Sequence, residues 1–456
     1  MKHKKFVVLT VTMAIAVSCI FAGCQKGEGS QNEPKATEKP YGKDYVEMWW
    51  DFSNESRVVP AQAIYDFNKL YKEQYPKALI EANSPIVPAG SNLITLLINN
   101  LAGNIAPDIV RVDSVYLPNL GLNGQLQDLK DYNVEELKDK YFPNAWDGVV
   151  FQKEGTQHIY GIPWVINSGA VMMYNKALLQ EANISEAPKT YEEMINAGNA
   201  IKALNKNDTY GFTFPFAADS MNYETFSFCF WLWRLGGDVL DEAYTKATFN
   251  SHEGVQALQM IISMVSTYGI APSDDRQLQI GSGNIGFTEY YSGYVTNFMN
   301  NESASETYGV SLLPTLKEGI PNYSGLGVNT FALVNNHVKE NDQLAYDFMK
   351  FLCTEPIYQD DFNKLYSGES SSLLEGNQDE KYQRDDWQVV LKQMDESKLR
   401  PKVPYWKNIE ESIAFAIDES LSNGTPPQET LNAAAEKVNR IIEQYNTIGT
   451  VPQWTE

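Results

Sequence analysis

The chain has 456 residues, 36 Lys and Arg against 58 Asp and Glu, and a formal net charge of −22 at neutral pH. So acidic a chain is expected to be repelled by nucleic acid and by anionic lipid. Hydrophobic residues make up 43% of the chain, enough for a sizeable interior, and a folded length of about 400 residues exceeds what one core usually supports, so two domains are expected.

In chain order, Lys2 to Lys5 give a basic start and Phe6 to Phe21 an apolar stretch too short for a durable transmembrane helix. The stretch ends in Phe21-Ala22-Gly23-Cys24, which resembles a bacterial lipobox, with cleavage before Cys24 and a lipid on its thiol. An ordinary secretory signal that happens to contain a cysteine is the alternative. Loss of residues 1–23 takes Lys2, Lys4 and Lys5 with it and makes the charge three units more negative. Residues 24–43 are Gly, Ser, Glu, Pro and Lys with almost nothing apolar, a composition that cannot bury enough surface to fold and predicts a flexible tether. No later run is long and apolar enough to span a bilayer. The mature protein is therefore expected on the outer face of the cell membrane, anchored by lipid but otherwise soluble. Once Cys19 leaves with the leader and Cys24 carries the lipid, Cys229 and Cys353 are left, each within an apolar helical pattern, and two buried thiols are expected rather than a disulfide framework.

From Tyr45 onward, short strand-like runs (YVEMWW, KALIEA, PDIVRV, YGIPWV, AVMMYN, YGVSLL, TFALV) alternate with longer segments of helical period. This alternation predicts an α/β chain with largely parallel sheets. Three helix starts carry capping signals. Thr190 with Glu193 forms a capping box, Asn250 with Glu253 resembles one, and Thr425-Pro426-Pro427-Gln428 adds proline at the first helical position. The helix after Pro427 places Leu431, Ala434, Val438, Ile441, Ile442 and Tyr445 on one stripe.

Motifs for catalysis are missing. Gly281-Ser282-Gly283-Asn284-Ile285-Gly286 fits G-x-G-x-x-G, but a polar segment precedes it and the strand-like FTEYYSGY follows, so no helix N-terminus is offered to a phosphate. There is no G-x-x-x-x-G-K-[ST] loop for ATP and no G-x-S-x-G for a serine hydrolase. His3, His158, His252 and His337 are scattered without ligand spacing, so neither a metal nor another cofactor is expected. Carboxylates are plentiful, mostly in solvated helical runs, so a glycosidase pair is left open by counting alone.

Aromatic area is over-supplied, with 9 Trp, 26 Tyr and 20 Phe. In FSFCFWLWRL, core packing is expected because Phe226, Phe230 and Trp233 share a helical face. Trp49-Trp50 differs, since neighbours in a strand point to opposite faces. One ring enters the core, and the other is expected to stand open beside Asp51, Ser53 and Asn54. A flat apolar ring with acceptors nearby suits a sugar, whose C–H face stacks while its hydroxyls bond outward.

Over residues 44–445 the chain resembles extracellular solute-binding protein family 1, the maltose-binding-type lipoproteins that serve carbohydrate ABC importers in Gram-positive bacteria. The resemblance is carried, in order, by Pro107-Asp108-Ile109-Val110, Tyr160-Gly161-Ile162-Pro163-Trp164, Met173-Tyr174-Asn175-Lys176 and Pro188-Lys189-Thr190-Tyr191-Glu192-Glu193. It continues through Leu235-Gly236-Gly237-Asp238, Ala247-Thr248-Phe249-Asn250-Ser251, Tyr308-Gly309-Val310 with Pro314, and Ala345 to Leu352. The strand after the glycine departs from the family as GNIGFTEYY, and a Trp often found behind it is absent, so the identity of the sugar is not carried over.

The resemblance implies a hinged, two-lobed periplasmic-binding-protein type II fold with C-terminal helices and ligand in the cleft. Lobe 1 is expected over 44–165 plus 317–366, and lobe 2 over 166–316 plus 367–456. Crossovers are expected near Val165–Asn167, Leu313–Leu316 and Ser367–Gly376. Carried over position by position, the candidate ligand-binding residues are Trp50, Asn54, Asp113, Trp164, Asn167, Tyr223, Glu224, Tyr290, Tyr291, Tyr405 and Trp406. Asp113 has a second reading as a helix cap and Trp164 as core. The implied protein is a monomeric receptor, not an enzyme, that captures a sugar or oligosaccharide and hands it to ABC permease subunits. With aromatic clusters and no cluster of Arg or Lys at the presumed cleft, a neutral sugar is preferred to an anion. A secreted glycoside hydrolase or lyase is the alternative, as is the same fold with a peptide, polyamine or other solute.

Overall fold

The computed structural model describes residues 44–86, 93–167, 169–214, 221–272, 283–336, 339–377 and 380–448; Cys24, the leader and the tether lie outside them. The strands are β1 (Tyr45–Trp49), β2 (Leu79–Asn83), β3 (Ile109–Asp113), β4 (Val150–Lys153), β5 (Thr156–Ile159), β6 (Ile162–Asn167) and β7 (Ala170–Asn175). They continue as β8 (Tyr210–Thr213), β9 (Ile285–Tyr291), β10 (Tyr308–Ser311), β11 (Ser324–Leu333), β12 (Ser370–Ser371) and β13 (Ser397–Leu399).

Two sheets define two lobes. The larger runs β12-β6-β11-β3-β1-β2 with β13 added to β11, and the smaller runs β10-β7-β9-β8. Strand–helix–strand units make β1 parallel to both β2 and β3, as periodicity predicted. The expectation of largely parallel sheets is corrected elsewhere: β11 lies antiparallel between β3 and β6, and β7 is antiparallel to both neighbours in the smaller sheet. A strand that returns from the other lobe enters the sheet from the opposite end, which periodicity within the strand does not encode.

The larger lobe closes over Trp50, Phe67, Ile109, Trp164, Phe331 and Phe348, the smaller over Phe212, Trp231, Ile261, Phe287, Trp406 and Val438. The FSFCFWLWRL segment is core, as expected, within helix Met221–Arg234. Cys229 and Cys353 are free, buried thiols. The two C-terminal helices, Trp406–Ser422 and Pro427–Ile448, pack on each other and on the smaller lobe. At Thr190 the cap forms: its hydroxyl accepts from Glu193 N at 3.2 Å while Glu193 accepts from Lys189 N at 2.7 Å. The cap expected at Asn250 falls instead on Ser251, whose hydroxyl accepts from Gly254 N, because the Asn250 amide is drawn to Asn432. Gly283 occupies a left-handed turn that leads into strand β9, not a helix, so the glycine motif is a loop; Gly281 and Ser282 lie outside the described residues.

The chain passes from the larger sheet to the smaller between β6 and β7 and returns between β10 and β11. It leaves again only after β12, which pairs with β6 at Ser370↔Ile166 and Ser371↔Val165. Residues 370–371 thus belong with the larger sheet, and Leu373 with its core, although the expected boundary places lobe 2 from 367 onward. Helix Asp385–Met394 then packs on the smaller lobe through Trp387 and Val390, and β13 returns to the larger sheet beside β11.

The first two crossovers touch. Ser324 Oγ accepts from Ala170 N at 2.6 Å and donates to Ala170 O at 3.1 Å, tying the two connections together. Gly169 has φ +62°, and a Cβ there would stand 1.9 Å from Gly325 O and 2.1 Å from Ser324 Oγ. Gly169→Ala is therefore expected to cost about 2–4 kcal/mol, since it meets both left-handed backbone strain and overpacking against main chain. A urea titration checks this, and a midpoint equal to the parent's would show that the crossover yields freely.

Candidate functional site

The crossover ends of both sheets gather polar and aromatic side chains. On the larger lobe, β3 brings up Arg111 and Asp113, and β11 lays Asn329 opposite Asp113 and Phe331 opposite Arg111, all on one face. Arg111 makes a bidentate pair with Asp51 (Nε–Oδ1 and Nη2–Oδ2, both 2.6 Å) and donates its Nη1 to Asn329 Oδ1. Asn329 Nδ2 donates to Glu369 Oε1 at 3.2 Å, so Asp51, Arg111, Asn329 and Glu369 form a chain along the lobe's edge. Burial works against the Arg111 charge, but Asp51 alongside outweighs it and holds the guanidinium above its ordinary range. The Arg111 guanidinium also lies 5.0 Å from the Phe52 ring centre.

On the smaller lobe, β9 ends in Tyr290 and Tyr291, which pair with Val171 and Ala170 directly after the first crossover. Both rings are half-buried. Tyr291 stacks on Phe226 with centroids 5.4 Å apart. Tyr290 meets Tyr291 edge-on at 5.5 Å and Tyr294 at 4.6 Å, making a short aromatic strip that ends in the exposed Tyr294.

Between the lobes lies Arg400. Its Nη2 is 2.6 Å from Asp113 Oδ2 and its Nη1 3.6 Å from Glu410 Oε1. The guanidinium lies over Phe226 at 4.7 Å and Trp406 at 5.9 Å. Glu410 also accepts from Tyr116 OH at 3.0 Å and from Trp406 Nε1 at 2.6 Å. Burial pushes the Glu410 carboxyl up in spite of Arg400, while Arg400, against its own burial, is held above its ordinary range by Asp113 and Glu410.

Several expected site residues occupy other places. Trp49 and Trp50 are both buried, correcting the expectation that one ring stands open. The large sheet is covered on both faces, and Trp50 lies just past the strand's end, where strict alternation lapses. Its Nε1 donates to Ser56 Oγ at 2.8 Å and its ring is enclosed by Phe52, Trp164, Phe331 and Phe362. Trp164 belongs to the same cluster. Tyr405 and Trp406 are also buried, Tyr405 OH donating to Tyr244 O at 2.9 Å. Asp113 fulfils its capping reading by accepting from Val115 N at 3.2 Å, and adds the ion pair to Arg400. Asn54 is exposed in the loop after β1. Asn167 closes β6, and Tyr223 and Glu224 belong to helix Met221–Arg234; their side chains lie outside the described residues.

Arg111, Arg400, Glu410 and Tyr116 were not anticipated. Arg111 had a signal, as a charge set between Val110 and Val112 in the strand-like PDIVRV; the pairings of Arg400 with Asp113 and of Glu410 with Tyr116 had none, because those partners lie 287 and 294 residues apart in sequence. Both arginines are matched by carboxylates, so neither stands uncompensated for an anion. Among the described residues no group of His, Cys, Asp and Glu could hold a metal, and no helix is long and apolar enough to cross a membrane.

The sequence profile of bacterial extracellular solute-binding proteins matches residues 94–388. An arabinooligosaccharide-binding protein of Bacillus subtilis is 22% identical over 363 residues, covering 76% of each chain. Among solved structures, a solute-binding protein of Thermotoga lettingae bound to α-D-tagatose superposes with TM-score 0.72 at 20% identity, covering 87% of this chain and 99% of that one. UgpB of Mycobacterium tuberculosis in complex with glycerophosphocholine does so with TM-score 0.71 at 16% identity, covering 88% and 99%.

Proposed function

Because the chain belongs to the bacterial extracellular solute-binding proteins, we propose that it captures a neutral sugar or oligosaccharide between its lobes and delivers it to an ABC importer, without catalysing any change in it. The observation that carries this reading is the half-buried pair Tyr290–Tyr291 at the crossover end of β9, close to the crossovers on which the Asp51–Arg111–Asn329–Glu369 chain also converges. Tyrosine rings offer a flat face for sugar C–H groups, and carboxylates and amides supply directed acceptors for hydroxyls. Arginines already matched by carboxylates favour neutral cargo over phosphate or carboxylate.

Asn54, Asn167, Tyr223 and Glu224 complete the proposed site, with Trp50, Trp164, Tyr405 and Trp406 supporting it from the cores. The lobes close on the ligand, and binding energy shifts an open–closed equilibrium toward the form that a permease recognises. Cys24 carries a lipid that keeps the monomeric receptor on the outer membrane face, and residues 24–43 give it reach.

A thermal-shift screen followed by calorimetry against neutral mono- and oligosaccharides tests the proposal, because a ligand that binds only the native form raises its melting temperature. Tyr290→Ala and Tyr291→Ala are expected to weaken the best saccharide by about tenfold or more, a loss of roughly 1.4 kcal/mol each. If no saccharide shifts the melting temperature while a peptide, polyamine or glycerophosphodiester does, the cargo assignment fails. Steady turnover of an oligosaccharide would replace the receptor by a hydrolase.

A further inference from the structure

We propose that Arg400 is an interlobe pin whose paired contacts to Asp113 and Glu410 set how far the lobes stand apart before any ligand arrives. Asp113 ends β3 of the larger sheet and is fixed there by its cap to Val115 N. Glu410 is fixed to the smaller lobe: its main-chain O accepts from Thr225 Oγ1 at 2.9 Å, and its helix packs on Met221–Arg234. Arg400, on the segment between β13 and helix Trp406–Ser422, holds both carboxylates. Its side chain is 4% exposed and that of Glu410 1%.

Arg400 and Glu410 are almost fully buried while Asp113 keeps its side chain 24% exposed, so parting Arg400 from its carboxylates strands a buried charge in a poorly solvated place. Two further bonds follow the same line between the lobes. Tyr116, which packs against both cores, donates to Glu410, and Asn119 Nδ2 donates to Pro404 O at 2.8 Å. The aromatic strip is coupled to the pin as well, because Phe226 lies between Arg400 and Tyr291. Opening that separates β3 from the C-terminal helix must break contacts at Arg400, and the pin therefore favours the arrangement seen here.

The pin does not depend on the identity of the cargo, so its test needs none. Small-angle scattering of the unliganded protein is compared between parent, Asp113→Asn and Tyr116→Phe, with circular dichroism and melting curves as a check of folding. Asp113→Asn is expected to enlarge the radius of gyration and to speed amide hydrogen exchange around 167–170 and 311–324; Tyr116→Phe, which removes one bond and no charge, is expected to do so to a smaller degree. Folded variants with parent-like scattering and exchange overturn the pin. Should Asp113→Asn fail to fold, Tyr116→Phe decides alone, and an unchanged profile there overturns the proposal. A saccharide screen that finds no ligand sinks the cargo reading and leaves these measurements standing.

Discussion

Glu289→Ala is expected to lower the unfolding free energy by about 3–5 kcal/mol. Arg234 and Glu289 form a bidentate pair inside the smaller lobe, Nη1–Oε1 at 2.9 Å and Nη2–Oε2 at 2.6 Å, with side chains 0% and 4% exposed. The remaining bonding capacity is also used. Trp231 Nε1 donates to Glu289 Oε2 at 3.1 Å, and Arg234 donates to Phe230 O and Pro314 O. Removing the carboxylate leaves a guanidinium without its counter-charge in an aromatic interior and orphans the Trp231 donor. The double variant Arg234→Met with Glu289→Leu removes both charges and should recover much of the loss. Urea denaturation of the parent, single and double variants checks this; a double variant no more stable than Glu289→Ala would mean that the other contacts, not the stranded charge, dominate.

Trp50→Ala is expected to cost about 3–5 kcal/mol through the cavity it leaves. The ring stacks on Phe331 at 5.8 Å and meets Phe52, Trp164 and Phe362 edge-on within 6.0 Å. Its loss also strips the Ser56 hydroxyl of a donor. Trp50→Phe keeps most of the packing and should cost far less. If Trp50 acts from the core, Trp50→Phe binds the best saccharide of the screen within about threefold of the parent, below the 1.4 kcal/mol that a tenfold change represents. A tenfold or greater loss in a stably folded Trp50→Phe would return the indole to the ligand surface.

These two positions show why contacts between distant segments were harder to see than the elements themselves. Trp50 was singled out because neighbouring strand residues diverge, a rule that holds for a strand with one open face; this sheet has none at that point. Glu289 lies in GNIGFTEYY, where it looks like one more surface carboxylate among 58 Asp and Glu. Nothing within a few residues of it reveals that Arg234, on another element, comes within hydrogen-bonding distance. Tyr290 and Tyr291, the next two residues, were proposed only through the family resemblance, by their place after GNIGF.

Local chemistry sufficed for whatever depends on residues close in sequence. The apolar strand runs YVEMWW and PDIVRV, the Thr190–Glu193 cap and the stripe from Leu431 to Ile442 fix elements through contacts spanning a few positions, and their order along the chain carries the two-lobed plan. Pairings between distant segments obey no such rule. The antiparallel return of β11, the attachment of β12 to β6, the enclosure of Trp50 and Trp406, and the meeting of Asp113, Arg400 and Glu410 each depend on which surfaces remain to be buried once the elements exist. That is settled by packing in three dimensions, where residues hundreds of positions apart exclude water from one another and decide which charges must be neutralised.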